Sequence, residues 1–206
     1  MNRREFLQCA AILVSGVGAS QLSFALSREQ EVYLATAPDY ISGELDYLTD
    51  AERKIIAAMA EIVIPRTETP GAIDAGVPRF IELMARDWLT DEERAIFEAG
   101  LAEMVTRVPE EYGQPFDRLT EKQQLKIMEQ LEDEASDSEW YSFANVQRQF
   151  ISDAPFICQI KELTIFGFFT SEVGSTQVLR HNPMPMRFDG DYPLSADDST
   201  WSEPGL

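Results

Sequence analysis

The chain has 206 residues, which fits one domain, or one domain and a tail, and excludes a complete large multidomain enzyme. Its residues are 44% hydrophobic and 26% charged, so the chain is globular and wholesale disorder is excluded. The formal net charge of -19 predicts no nucleic-acid partner, and 1 His and 2 Cys are too few for a Cys/His metal site, although carboxylate sites stay open.

Residues 1–25 differ in composition from the rest and are typical of a signal peptide. A short basic start precedes an apolar stretch from Cys9 to Leu22 that is rich in Ala, Gly and Ser. The stretch, of about 14 residues, is shorter than the roughly 20 that a helix needs to cross a bilayer, so we do not expect a permanent anchor. Ser23-Phe24-Ala25 has the small-x-small pattern of a signal-peptidase site, which predicts cleavage after Ala25.

The start of this leader resembles a twin-arginine export signal, with the consensus Ser/Thr-Arg-Arg-x-Phe-Leu-Lys. Asn2 and Gln8 depart from the consensus. The alternative is an ordinary signal for unfolded export that begins with two arginines. The twin-arginine translocase carries folded cargo, so the protein is expected either to bind something inside the cell or to travel with a protein that does. The residues that match the signal are Arg3, Arg4, Phe6 and Leu7.

Cleavage after Ala25 would remove two arginines and one glutamate and leave a net charge of -20. It would also remove Cys9, so that the exported chain keeps Cys158 as its one thiol. In an oxidising compartment an unpaired cysteine can pair with another chain. The alternative is that Cys158 is a small buried hydrophobic residue.

The mature chain is predicted to be all-α, an irregular domain of about six helices with extended N- and C-terminal arms. Residues 26–45 lack sustained periodicity and form an extended lead-in to a helical domain over 46–182. Three capping boxes, in which a Thr hydroxyl and a Glu or Gln side chain satisfy free amides, predict helix starts at Thr49, Thr90 and Thr120.

Helices follow one another along this domain, and no alternating run is long enough to demand a sheet. After the fourth helix, six acids without a base lie between Glu129 and Glu139. This run is predicted to be a solvated face, with a calcium or basic-partner contact as the alternative. The predicted helices run from Thr49 to Pro65, from Val77 to Trp88, from Thr90 to Val108-Pro109, from Thr120 to about Leu131, from about Trp140 to Ile151 and from about Pro155 to Thr170.

The sixth helix is apolar on more than one face, so it must either be central or contact a second protein. The central position is the preferred interpretation. Residues 183–206 form an acidic tail rich in proline and aromatic residues, which suggests an arm that lies against its own domain or a partner.

Known catalytic constellations are missing from the sequence. His181 is next to Asn182-Pro183 at the edge of the domain, and no Ser or Cys has an evident base beside it. There is no glycine-rich phosphate loop, and carboxylate pairs carry little information in a chain with 36 acids. We therefore predict an accessory or binding role, with no catalytic, cofactor-binding or metal-binding residues in this chain.

Several motifs follow one another in order from about Leu45 to Pro185. The longest runs from Lys161 to Gly174 as KELTIFGFFTSEVG. The others are Leu48-Thr49 with Glu52, Ile64-Pro65, Thr69-Pro70-Gly71-Ala72, Ala75-Gly76-Val77-Pro78, Phe80-Ile81, and Phe116-Asp117 with Leu119, Gln123 and Gln124. Together these motifs resemble the gluconate 2-dehydrogenase subunit 3 family, in which the acidic stretch at 132–139 and the tail after Pro185 have no counterpart.

The resemblance implies a non-catalytic small subunit of a periplasmic, membrane-associated sugar or sugar-acid dehydrogenase. It implies a large partner subunit that holds FAD and carries out the oxidation, and a multihaem cytochrome c subunit that passes electrons to the respiratory chain. The FAD subunit commonly lacks a signal of its own, so the small subunit would escort it, already folded, through the twin-arginine translocase. Candidates for the contact between subunits are Cys158, Phe166, Phe168 and Phe169.

The alternative hypothesis is a free-standing periplasmic enzyme or metal-binding protein that uses carboxylates alone. Flavin absorbance that appears only when a second polypeptide co-purifies would separate the two hypotheses.

Overall fold

In the computed structural model, residues 44–141, 151–181, 193, 195 and 198–202 are described, and all of them lie in the unit that spans 44–206. The described part is helical, as predicted. Its α-helices are α1 (Asp50–Val63), α2 (Val77–Asp87), α3 (Asp91–Tyr112), α4 (Glu121–Glu134) and α5 (Phe156–Thr170). Shorter elements are 3-10 turns at Phe116–Arg118 and Glu139–Tyr141, a π-helical turn at Gly174–Val178, and two-residue strands β1 (Arg180–His181) and β2 (Trp201–Ser202).

The three predicted capping boxes all form and set the starts of α1, α3 and α4. The amide of Thr49 donates to Glu52 over 2.8 Å, that of Thr90 to Glu93 over 2.8 Å, and that of Thr120 to Gln123 over 3.1 Å. These contacts join residues three apart, so the sequence alone contains the information that places each helix start.

Two helix boundaries differ from the prediction. Helix α3 continues past Pro109 to Tyr112, because a proline one turn from a helix end removes a single hydrogen bond. The end is closed by Gly113, whose φ of 75° is the left-handed conformation that suits a helix C-cap. The predicted helix at 140–151 lies mostly outside the described residues, and its first described part, Glu139–Tyr141, is a 3-10 turn.

Helix α5 lies at the centre of the described structure and contacts each of the other four α-helices. The central position preferred for the sixth predicted helix is therefore correct. Two glycines allow neighbouring helices to pack closely against α5. Gly100 of α3 lies against Phe156 of α5, and Gly167 of α5 lies against Phe80 of α2. The largest fully buried side chains include Phe97, Phe116, Phe168, Ile56, Met59, Ile81, Leu101, Met104, Ile157, Ile160 and Leu163.

One buried acid links α2 to α1 and to the residues that precede α1. Glu82 is 2% exposed, and its carboxylate accepts hydrogen bonds from Arg53 Nε at 2.9 Å, from Arg53 Nη2 at 2.9 Å and from the amide of Leu48 at 3.0 Å. The Arg53 guanidinium also donates to the carbonyl of Leu45. Burial alone would raise the pKa of Glu82, but these hydrogen bonds outweigh it and hold the pKa below its ordinary value.

Near the C-terminus, β1 and β2 form a parallel bridge that pairs Arg180 with Trp201. The Arg180 amide donates to Thr200 at 2.9 Å, and its guanidinium donates to Asp198 at 2.8 Å and to the carbonyl of Ser199 at 2.7 Å. This described part of the tail lies against its own chain. The rest of the arms, at 26–43 and in most of 183–206, falls outside the described residues.

Candidate functional site

The four predicted subunit-contact residues lie on helix α5 but in different surroundings. Phe166 is 47% exposed and Phe169 is 41% exposed, so both reach the surface. Cys158 is 0% exposed and Phe168 is 2% exposed. These two predictions therefore need correction, because both side chains pack inside their own domain and present no surface to a partner.

One further residue of the same helix, Ile165, is 43% exposed and was not predicted as a contact residue. Ile165, Phe166 and Phe169 lie within one turn and share a face of α5. We call these three residues the α5 patch. Helical spacing could have identified Ile165, since it stands four residues before Phe169.

Both aromatic rings of the α5 patch are held by other rings. The Phe166 ring lies 5.9 Å from that of Phe80 on α2, and the Phe169 ring lies perpendicular to buried Phe168 at 5.2 Å. Offset and edge contacts of this kind are worth about 0.5–1.5 kcal/mol each. The two exposed aromatic rings of the α5 patch are thus stabilised in place by neighbouring rings.

The first half of the same helix face is covered by the 3-10 turn at Glu139–Tyr141. Lys161 Nζ lies 5.9 Å from the ring centroid of Trp140 and 5.7 Å from that of Tyr141, and it pairs with Glu132 at 3.0 Å. Trp140 itself is buried. Further along the helix, Ile165, Phe166 and Phe169 keep the exposed fractions given above.

Cys158 lies beneath this covering, within hydrogen-bonding reach of Tyr141. Burial raises the pKa of the Cys158 thiol, and the Tyr141 contact and the positive charge of Lys161 offset this only in part. A buried thiol with a raised pKa holds little thiolate at neutral pH and is a poor partner for disulfide exchange. The structure thus agrees with the alternative interpretation of Cys158 as a small buried hydrophobic residue.

We expect Cys158 to react slowly with a thiol reagent in the folded protein. In a Cys9→Ser chain, its reaction with an aromatic disulfide reagent at pH 8 should be about tenfold slower, or more, than in denaturant, because the thiol is buried and protonated. Absorbance of the released thiolate measures the rate. Equal rates in the two conditions would show that the thiol is accessible and return Cys158 to the list of contact residues.

Glu162 stands at the edge of the α5 patch, half-buried. Burial raises the pKa of Glu162, and the negative charge of Glu93 adds to the rise. Among the described residues, no ion pair includes Glu162. The apolar face is therefore bordered by a carboxylate that lacks a cation in the described part of its own chain.

A second ordered feature is the loop between α1 and α2. The Glu61 carboxylate accepts from the amides of Arg66 and Ile73, each at 2.9 Å. Asp74 accepts from Arg66 Nε at 2.6 Å and from the amide of Gly71 at 3.0 Å, and the Arg66 guanidinium and the Gly71 amide hold its pKa below the usual range. These bonds stabilise the loop, which carries the motifs Ile64-Pro65 and Thr69-Pro70-Gly71-Ala72 and the start of a third, Ala75-Gly76.

This loop borders two open hollows. The first, of about 560 Å³, is polar and lies between residues 66–70 and the π-helical turn, with Val173 and Gln177 on its far side. The second, of about 510 Å³, lies between α1 and α4 and includes the exposed apolar residues Ile73 and Leu125. Neither of these two hollows is lined by a Ser, Cys or His side chain.

The described residues also hold no group of three His, Cys, Asp or Glu side chains that could bind a metal ion. Within the acidic run, Glu132 pairs with Lys161 at 3.0 Å and Glu134 lies 3.7 Å from Arg107. His181 belongs to β1. The predicted export residues Arg3, Arg4, Phe6, Leu7 and Ala25 lie outside the described residues.

None of the described helices combines the length and the apolar character that crossing a bilayer requires. Comparison with curated proteins gave no match, and comparison with solved structures gave none. Comparison with protein-family models matched residues 50–186 to the family described as Gluconate 2-dehydrogenase subunit 3. That match covers well over half of the chain and includes all five α-helices and the loop between α1 and α2. The chain therefore belongs to the gluconate 2-dehydrogenase subunit 3 family.

Proposed function

We propose that this chain is a non-catalytic small subunit that binds a folded, FAD-containing dehydrogenase subunit and stabilises it in a complex. The observation that carries the proposal is the family match over residues 50–186. The exposed α5 patch supports it, because an exposed apolar surface with aromatic side chains suits protein association. In this proposal the FAD and the oxidation of a sugar or sugar acid belong to the partner, and a multihaem cytochrome c subunit receives the electrons.

The second part of the proposal is that the chain escorts its partner to the periplasm. Flavin is inserted in the cytoplasm, so a flavoprotein is folded before export, and folded cargo requires the twin-arginine translocase. Arg3 and Arg4, followed by Phe6 and Leu7, supply a signal of that type. One signal would then export two proteins, and the complex would associate with the membrane peripherally through its other subunits.

The test is to express a C-terminally tagged full chain in its native host and to recover it from the periplasm. We expect a large polypeptide with flavin absorbance to co-purify. In an Arg3→Lys/Arg4→Lys variant, both proteins should disappear from the periplasm while their complex persists in the cytoplasm, because the signal requires paired arginines and the binding surface does not. Mass spectrometry and the flavin spectrum of each fraction measure this.

The matched control for this test is Arg28→Lys. Arg28 stands three residues beyond the expected cleavage site, so the same substitution is made outside the signal and should leave export intact. Recovery of the small chain alone from both compartments would contradict the binding role. Export that persists in the Arg3→Lys/Arg4→Lys variant would contradict the twin-arginine route and leave the binding role standing.

A further inference from the structure

We propose that the α5 patch is the centre of the surface on which the FAD-containing subunit docks, and that Glu162 at its edge receives a lysine or arginine of that subunit. This inference rests on the proposed function and adds to it the location and the chemistry of the contact. Glu162, Ile165, Phe166 and Phe169 occupy positions i, i+3, i+4 and i+7 of α5, which form one face of a helix.

The size of the α5 patch suits the centre of an interface. With both aromatic rings nearly half exposed, the three side chains offer on the order of 300 Å² of apolar surface. A stable interface buries about 800 Å² on each partner, so the α5 patch forms a core and its surroundings form the rim. Interface energy concentrates in such buried aromatic anchors.

The ring contacts of the α5 patch favour the same interpretation. Phe80 and Phe168 pack against the two exposed rings, so we expect binding to order few additional side-chain rotations. Each rotamer that is fixed before binding saves conformational entropy on association. Trp88, at the C-cap of α2, is more exposed, at 59%. It belongs to neither of the pairs Phe80–Phe166 and Phe168–Phe169, so these contacts do not hold its ring.

The charge of the chain and of Glu162 narrows the kind of partner that can bind the α5 patch. The chain carries a net charge of -19, so a second copy of it, or an anionic lipid surface, would be repelled. Glu162 has no cation in the described part of its own chain, and closing a partner over it would bury a carboxylate, which is costly unless a counter-ion comes with the partner. Both arguments favour a protein that presents an apolar surface bordered by Lys or Arg.

The competing surface is the hollow between α1 and α4, where Ile73 is 52% exposed and Leu125 is 46% exposed. These side chains are as exposed as those of the α5 patch. They lie in a hollow that also contains the carboxylates of Glu61 and Glu121, and Glu61 already accepts two backbone hydrogen bonds. The pair Ile73 and Leu125 therefore provides a matched control of equal apolar exposure.

The experiment compares tagged full-length variants co-expressed with their native partner. We expect Phe166→Ser/Phe169→Ser to reduce the flavin polypeptide recovered per small chain by about tenfold or more, since two aromatic anchors are lost. Ile73→Ser/Leu125→Ser should recover the wild-type amount. Glu162→Lys should reduce recovery in low salt, whereas Glu162→Gln should weaken binding and reduce its dependence on salt.

Thermal unfolding of each variant tests whether it is folded. Glu162→Lys tests the same surface without removing the Phe166 ring that contacts Phe80. Wild-type recovery with folded α5-patch variants, or loss of recovery in the Ile73→Ser/Leu125→Ser control alone, would overturn the location. A wild-type dimer in size-exclusion chromatography that Phe166→Ser/Phe169→Ser converts to a monomer would assign the surface to a second copy instead. Absence of any flavin polypeptide from the wild-type preparation would overturn the proposed function itself, a different outcome from either of these.

Discussion

Replacing Glu82 with glutamine is expected to lower the free energy of unfolding by about 3 kcal/mol at pH 7. Glu82 is 2% exposed, and its carboxylate accepts from Nε and Nη2 of Arg53 and from the Leu48 amide. Glutamine has the same shape, but its amide nitrogen is a donor and would face a donor of Arg53. The variant therefore removes a buried charge and leaves one N–H of the partly exposed Arg53 guanidinium without its acceptor.

The loss should depend on pH in one direction. The folded-state pKa of Glu82 lies below its ordinary value of 4.5, so the ionised carboxylate stabilises the fold fully above about pH 4.5. This stabilisation is lost as the pH falls through the folded-state pKa. The difference in stability between wild type and Glu82→Gln should thus be constant near neutral pH and shrink in acid.

Urea unfolding followed by circular dichroism at pH 7 and at pH 3.5 measures both effects. The control is Glu129→Gln, which removes an exposed acid from α4 and should change stability by no more than about 0.5 kcal/mol. A Glu82→Gln variant as stable as the control at pH 7 would show that the Arg53 contact contributes nothing to the fold.

Replacing Gly100 with alanine is expected to destabilise the protein, although alanine is the better helix former. A Cβ on Gly100 would lie 2.5 Å from Cβ of Phe156 and closer still to its Cγ, so α3 and α5 would have to separate. Overpacking costs about 1–3 kcal/mol, and contact with an atom so close to the helix backbone places this site at the upper end. Set against the roughly 1 kcal/mol that alanine gains over glycine in a helix, the expected net loss is about 2 kcal/mol.

The reason can be tested separately by making space. Phe156→Ala alone should cost about 3–5 kcal/mol, because it empties a buried position. In the Phe156→Ala background, Gly100→Ala should no longer destabilise and should recover part of the loss. The check is a double-mutant cycle by urea unfolding, and additive effects of the two substitutions would contradict the proposed clash.

Local features of the sequence were sufficient to predict most of the described helices. The capping boxes at Thr49, Thr90 and Thr120 join residues three apart, so no distant contact is needed to form them. The extension of α3 past Pro109 was missed because a proline near a helix end removes one hydrogen bond, and whether that loss is tolerated depends on what packs against the last turn. The Glu82 contacts join residues 29 and 34 apart. They were not predicted, because no local pattern in the sequence shows which distant segments pack together.

The predicted contact residues show what spacing along one helix can and cannot decide. Cys158, Ile165 and Phe169 stand at i, i+7 and i+11 of α5, so periodicity alone places them on one face. The sequence by itself determined the family motifs, the helix starts and the strongly apolar character of α5. Only the tertiary structure decided which of its side chains are buried. The turn at Trp140–Tyr141 packs over Cys158, whereas Ile165 on the same face is 43% exposed, and packing between distant segments is a contact that no local pattern records.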